Sequence, residues 1–135
     1  RPNIVKKFVK DGSTYLILIK EHMVFFSRNE NKDLFEEDNF VNEIVQESIS
    51  SFNNPEVLDQ STMTLDTYPT IQFKAKGTKE RLGITIPMIM RNWMIFYEDK
   101  IVLLTCTGID NGEFKAVEKL YFLITNSVIF PEQYN

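Results

Sequence analysis

The sequence contains very few of the side chains that carry metal or nucleophilic chemistry. It has one cysteine and one histidine among 135 residues. Because a lone Cys106 cannot form an internal disulfide, the fold does not depend on an oxidising compartment. A transition-metal site needs several cysteine or histidine ligands, so none is expected. The acidic stretches 30–38 and 110–113 also lack the ligand spacing of a calcium-binding loop.

Long apolar runs and clustered basic residues are scarce too. The longest apolar run, Ile101 to Leu104, is far shorter than the roughly 20 residues of a membrane-spanning helix. A net charge of -4, with lysines and arginines scattered along the chain, argues against a nucleic-acid partner held by its phosphates. Gly77 and Gly83 do not stand in the strand-to-helix setting of a phosphate-binding loop, and we expect no cofactor.

Catalysis has one candidate pair, Cys106 with His22. Cys106 lies among apolar neighbours in a predicted strand, where a thiol keeps a raised pKa and stays unreactive. His22 is expected in a polar turn beside Glu21. The remaining carboxylates are explained by turns and strand edges. We therefore predict no catalytic, cofactor-binding or metal-binding residues, and no enzymatic activity.

The stretch from Gly83 to Gly108 has the strongest pattern in the chain. It predicts two long strands joined at Glu98-Asp99-Lys100. Both alternating sets of side chains in the first strand are largely apolar, which is typical of a strand covered on both faces. Pro87 cannot donate a backbone hydrogen bond, so the strand must lie at an edge or bulge at that point.

The rest of the chain predicts elements that cover this pair of strands. Two helices have one apolar stripe each, and the other strands alternate or contain strand-forming residues. The fold class is predicted to be α+β, one domain over residues 1–135, with an antiparallel sheet and a helix packed on each face. The predicted elements are a hairpin of Thr14 to Ile19 and Met23 to Phe26, a polar loop from Ser27, a helix from the N-cap Asp33 to about Phe52, an edge strand from Val57 to Thr67, a strand from Thr70 to Lys76 with one solvated face, a turn at 109–113 with positive φ at Gly112, and a helix from Phe114 to about Ser127.

Arg91, Trp93 and Tyr97 share one face of the first central strand. These residue types dominate binding energy when they are exposed together, so they are the candidate partner-binding residues. The alternative is that a helix covers this face and that the three side chains belong to the core.

The end of the chain resembles the PsbP-like superfamily, which includes the photosystem II extrinsic protein, the Mog-type Ran-binding proteins and DcrB-like bacterial proteins. The resemblance lies in the strand Lys100 to Gly108, a short loop, Phe114, and a last helix that closes in Asn126 to Phe130. It implies a non-catalytic αβα sandwich that binds another protein, and it carries over no site residues. The compartment stays undecided on the sequence, with the cell envelope, in the periplasm or as a lipoprotein, slightly favoured over the cytoplasm.

The resulting functional expectation is a protein-binding or assembly-accessory domain. Its partner is another protein, and pairing of two copies through a sheet edge is one form of such binding. The alternative is a small hydrolase or small-ligand-binding protein with a pocket between the sheet and the first helix. Because the chain opens with Arg1-Pro2-Asn3 and not with methionine, we expect the native N-terminus to lie outside these residues.

Overall fold

The computed structural model describes residues 3–10, 13–21, 28–98 and 100–130. These residues form six strands and three helices. In chain order they are β1 (Asn3–Lys10), β2 (Ser13–Glu21), α1 (Arg28–Phe35), α2 (Asp38–Ser48), β3 (Asn53–Leu65), β4 (Tyr68–Arg81), β5 (Ile84–Tyr97), β6 (Lys100–Ile109) and α3 (Gly112–Asn126).

The six strands form one antiparallel sheet in the order β1-β2-β6-β5-β4-β3. The two predicted central strands, β5 and β6, lie in its middle, with Trp93 opposite Leu104. Pro87 lies just beyond the last residue of β5 that pairs with β6, so the strand has a local edge there, as predicted.

Each face of the sheet has its own apolar core, which confirms the α+β sandwich. On one face, α3 packs over Tyr15, Trp93 and Leu104 through Phe114, Val117 and Tyr121. On the other face, α1 and α2 pack over Ile71, Phe73 and Phe96 through Phe35, Val45 and Ile49. No helix in the part of the chain described here has the length and apolarity that a membrane crossing requires.

The predicted first helix is two helices in the structure. Asp33 is not an N-cap but lies inside α1, and α2 begins at Asp38 with Glu37 as its N-cap. The expected polar loop from Ser27 is therefore largely helical. The break lets the Phe35 ring meet the Phe96 ring edge-on, with centroids 4.7 Å apart.

Two other predictions about strands need correction. Strand β2 does contain Thr14 to Ile19, but its hairpin partner is β1, which precedes it; Met23 to Phe26 and His22 lie outside the described residues. The strand from Thr70 to Lys76 is solvated only at its end, since Thr70 and Gln72 are buried whereas the Lys76 side chain is 45% exposed. Gln72 belongs to a polar network beneath α3, described below, and the Thr70 hydroxyl donates to the Tyr68 carbonyl.

The loop before the last helix is shorter than predicted. Gly112 is the first residue of α3 and has no positive φ. The Asn111 side chain caps the helix, because its oxygen accepts hydrogen bonds from the backbone N–H groups of Glu113 (3.0 Å) and Phe114 (3.3 Å). The expected turn conformation at Gly112 is thus wrong, and these polar residues start a helix.

Candidate functional site

Arg91, Trp93 and Tyr97 share one face of β5, as predicted, and α3 covers that face. Trp93 is only 2% exposed, and its ring meets Phe122 edge-on at 5.3 Å between centroids. Tyr97 stacks on Phe130 at 4.4 Å. These side chains therefore do not form an exposed patch. The alternative interpretation holds, because they pack beneath α3 and the residues after it.

The charge of Arg91 is paired beneath α3. Its Nε donates to Glu118 Oε2 at 3.2 Å, and its Nη1 donates to Gln72 Oε1 at 2.8 Å. The ammonium of Lys74 lies 3.0 Å from the same Glu118 oxygen. The guanidinium carbon also lies 4.7 Å from the centre of the Phe122 ring. A buried cation held in this way is structural, since its Nε and Nη1 groups already donate to acceptors within the fold.

Gln72 extends this network to the edge strand. Its Nε2 donates to Asp59 Oδ2 at 3.1 Å and to Ser61 Oγ at 2.8 Å. The contacts therefore join β3, β4, β5 and α3. Sequence reasoning missed this network because it depends on side chains from four elements that are distant along the chain.

The candidate nucleophile is inert. Cys106 is fully buried, and burial raises the pKa of its thiol to about 12. The thiol therefore stays protonated at neutral pH. Its expected base, His22, lies outside the described residues. Within the described ranges, no group of three or more histidines, cysteines or carboxylates could hold a metal ion.

A cleft lies on the opposite face of the sheet, between α2 and the central strands β5 and β6. Its volume is about 460 Å³. Its lining is mostly apolar and is contributed by Ile44, Glu47, Ser48, Met90, Asn92, Met94, Ile101, Leu103 and Thr105. A pocket between the sheet and the first helical layer was part of the alternative expectation, although none of its residues was predicted.

Asn92 is a buried polar residue in the lining of this cleft. It is 5% exposed, and its Nδ2 donates to Thr105 Oγ1 at 2.8 Å. Its Oδ1 has no hydrogen-bond partner among the described residues. The sequence did contain a signal, because Asn92 interrupts an otherwise apolar alternating set that includes Met90 and Met94.

The two edge strands of the sheet differ in character. On β1, the exposed side chains include Lys6, Lys7 and Lys10. On β3, the stretch from Asp59 to Leu65 pairs with β4 without interruption and has Asp59 as its only charged residue. Charged side chains on an edge, lysine above all, discourage pairing with another strand. The prediction that Val57 to Thr67 lies at an edge is confirmed.

Comparison with known proteins shows similarity in structure only. No family model and no curated protein matches the sequence. PA94 from Pseudomonas aeruginosa, a protein of unknown function for which a regulatory role has been suggested, matches with a TM-score of 0.67 at 9% identity, over 96% of this chain and 83% of its own.

Two further solved structures match more distantly. Cyanobacterial PsbP (CyanoP) from Synechocystis sp. PCC 6803 has a TM-score of 0.54 at 9% identity, over 90% of this chain and 69% of its own. The Ran-binding protein Mog1p from Saccharomyces cerevisiae has a TM-score of 0.47 at 9% identity, over 81% of this chain and 56% of its own. Together with the sheet order and the two helical layers, the first two matches confirm the expected resemblance: this chain has the PsbP-like fold.

Proposed function

We propose that this chain is a non-catalytic binding domain that pairs the free edge of β3 with an extended segment of another protein. The observation that carries the proposal is the contrast between the two sheet edges. Three exposed lysines lie on β1, whereas β3 from Asp59 to Leu65 pairs with β4 without a register shift and has one charged residue. Because exposed lysines discourage pairing at the β1 edge, a partner strand is expected to add at the β3 edge.

The open stretch of β3 is long enough to receive a partner. Seven consecutive residues, Asp59 to Leu65, pair in register with β4. Typical strands are about five or six residues long, so a partner strand could form a full ladder here. The two register shifts of β3 fall before Asp59, so they do not interrupt this stretch. Its serine and threonines keep the edge polar while the backbone groups on its outer side have no neighbouring strand within the described residues.

The chemistry of the described residues supports a role without catalysis. Cys106 is buried and protonated at neutral pH, and Arg91 is held by Glu118 and Gln72. The PsbP-like fold is compatible with binding but does not specify a partner, because one fold can serve many functions. The expected contact through Arg91, Trp93 and Tyr97 is not part of this proposal, since α3 covers that face.

The test is site-specific photo-crosslinking in the organism that produces the chain. A benzoylphenylalanine is placed at Thr62, which is exposed in the middle of the open β3 stretch. Matched controls carry the same group at Lys7 on the other edge and at Leu123, which is 67% exposed on α3. We expect a covalent adduct with another protein from Thr62 and none from the two controls.

The possible adducts separate the alternatives. An adduct with the mass of two chains would identify a second copy as the partner on this edge. An adduct formed only from Lys7 or Leu123 would keep the binding function and refute the β3 surface. If none of the three positions forms an adduct, the proposed function is wrong.

A further inference from the structure

The cleft between α2 and the central strands has the features of a small-molecule site. Pockets that bind small molecules usually measure about 300–1,000 Å³ and are mostly apolar, with a few placed polar groups. This cleft has a volume of about 460 Å³ and five apolar lining residues, Ile44, Met90, Met94, Ile101 and Leu103. Methionine side chains are flexible, so the β5 side of the cleft, with Met90 and Met94, can adapt to an occupant.

Asn92 gives the cleft a buried polar group with an unused acceptor. Its Nδ2 donates to the Thr105 hydroxyl, so its Oδ1 is the atom without a partner among the described residues, and a carbonyl oxygen accepts hydrogen bonds. Asn92 and Thr105 are also opposite each other in the β5–β6 register, and Met90, Met94 and Leu103 lie beside the pair on the same face. Buried polar groups normally have partners, and an exception needs an explanation.

We propose that this cleft binds a small, uncharged and mostly apolar molecule whose single N–H or O–H group donates a hydrogen bond to Asn92. The ligand would supply the partner that the amide lacks. This inference is independent of strand addition at β3, because the cleft lies over β5 and β6.

The charges around the cleft define the class of ligand. Among the described residues that line the cleft, Glu47, which is exposed, is the one ionisable residue, and none is a lysine or an arginine. A carboxylate or phosphate would therefore find no positive partner among these described residues and one negative side chain, which is unfavourable in a desolvated site. Alcohols, amides and amines that stay neutral fit the cleft, and fatty-acid anions do not.

The first experiment uses the fluorescent probe N-phenyl-1-naphthylamine, which is neutral and has one N–H group. We expect saturable binding at one site per chain, with fluorescence that rises as the probe leaves water. At pH 8, 1-decanol should displace the probe about tenfold more effectively than decanoate, which corresponds to about 1.4 kcal/mol. Equal displacement by the alcohol and the anion would overturn the proposed ligand class, and the absence of saturable binding would overturn the site.

Variants locate the probe within the chain. Leu103→Trp fills the cleft from β6 and should abolish saturable binding, whereas Leu123→Trp on the exposed side of α3 should leave it unchanged. If Leu103→Trp does not fold by circular dichroism, Ser48→Trp blocks the cleft from α2 instead. Binding that survives in a folded cleft-filling variant would refute the location.

A second variant tests Asn92 itself. Asn92→Leu keeps the size of the side chain and removes the amide, so the cleft stays apolar. We expect probe affinity to fall by about twofold to tenfold, the usual effect of one lost hydrogen bond. Unchanged affinity in folded Asn92→Leu would show that the amide does not contact the ligand.

Discussion

Arg91 and Asn92 are neighbours in β5, and their side chains lie on opposite faces of the sheet. Arg91 meets Glu118 and Gln72 beneath α3, so its charge is paired. Asn92 meets only Thr105, so half of its amide has no partner among the described residues. The alternation of a strand predicts which residues share a face, but it does not predict what covers that face. For this reason the sequence alone did not decide whether Trp93 is exposed at the surface or buried in the core.

Two buried residues, Cys106 and Tyr15, predict how stability depends on pH. Burial raises the pKa of the Cys106 thiol to about 12, and burial likewise raises the pKa of the Tyr15 hydroxyl to about 12, although its hydrogen bond with Thr125 opposes this. In an unfolded chain these pKa values are about 8.5 and about 10. The unfolded chain therefore loses both protons at lower pH than the folded chain.

The free energy of unfolding should consequently be constant up to about pH 8.5 and fall as the pH rises towards 12. Urea denaturation between pH 7 and pH 11 measures this. Tyr15→Phe is the matched variant: it keeps the ring and removes one titrating group, so its decline should be shallower than that of the unmodified chain. A free energy that stays level up to pH 11 would contradict the burial of both groups.

The helix break at Glu36 and Glu37 contains no glycine or proline that would have predicted it from the sequence. In a continuous helix, Phe35 and Phe40 would lie about 140° apart around the axis, at 3.6 residues per turn. The break places both rings near Phe96, with centroid distances of 4.7 Å and 6.1 Å. Packing against the sheet thus outweighs local helix preference. Periodicity predicted the apolar stripe correctly, but it could not show that two short helices fit these rings better than one.

The turn between β4 and β5 offers a stabilising substitution. Leu82 and Gly83 both have positive φ, 53° and 78°, as in the two-residue type I′ turn of a hairpin. Leu82 is 95% exposed, so its side chain packs against very little. A non-glycine residue in this conformation costs about 1–2 kcal/mol, and asparagine tolerates it better. Leu82→Asn should therefore raise the free energy of unfolding by about 0.5–1 kcal/mol.

Thermal unfolding followed by circular dichroism measures this gain as a rise of about 2–5 °C in Tm. Arg81→Asn is the control, because Arg81 is also exposed but has no positive φ. It should leave Tm unchanged or slightly lower, since asparagine is disfavoured in strands. If Leu82→Asn also fails to raise Tm, the turn conformation is not limiting for stability.

At the scale of the whole molecule, the architecture was predictable because a covered sheet requires the same patterns of apolar side chains at many residues. Dozens of side chains must alternate or follow a stripe, so single misassignments, such as Asp33 as an N-cap, do not change the fold. The cleft and the polar network depend on single contacts across strands. Gln72, for example, reaches Asp59 and Arg91 only because β4 lies between β3 and β5. That register could not be predicted from local pattern.

The two apolar cores should unfold together, because β5 contributes Trp93 to one and Phe96 to the other. Ile49 is 1% exposed in the core beneath α2, so Ile49→Ala should cost about 2–5 kcal/mol. Trp93, the single tryptophan, lies on the opposite face and reports on the α3 side. In urea, its fluorescence and the far-ultraviolet circular dichroism should shift to the same lower midpoint, whereas Leu123→Ala should shift neither. A Trp93 midpoint that stays in place while the dichroism midpoint falls would mean that the two layers unfold separately.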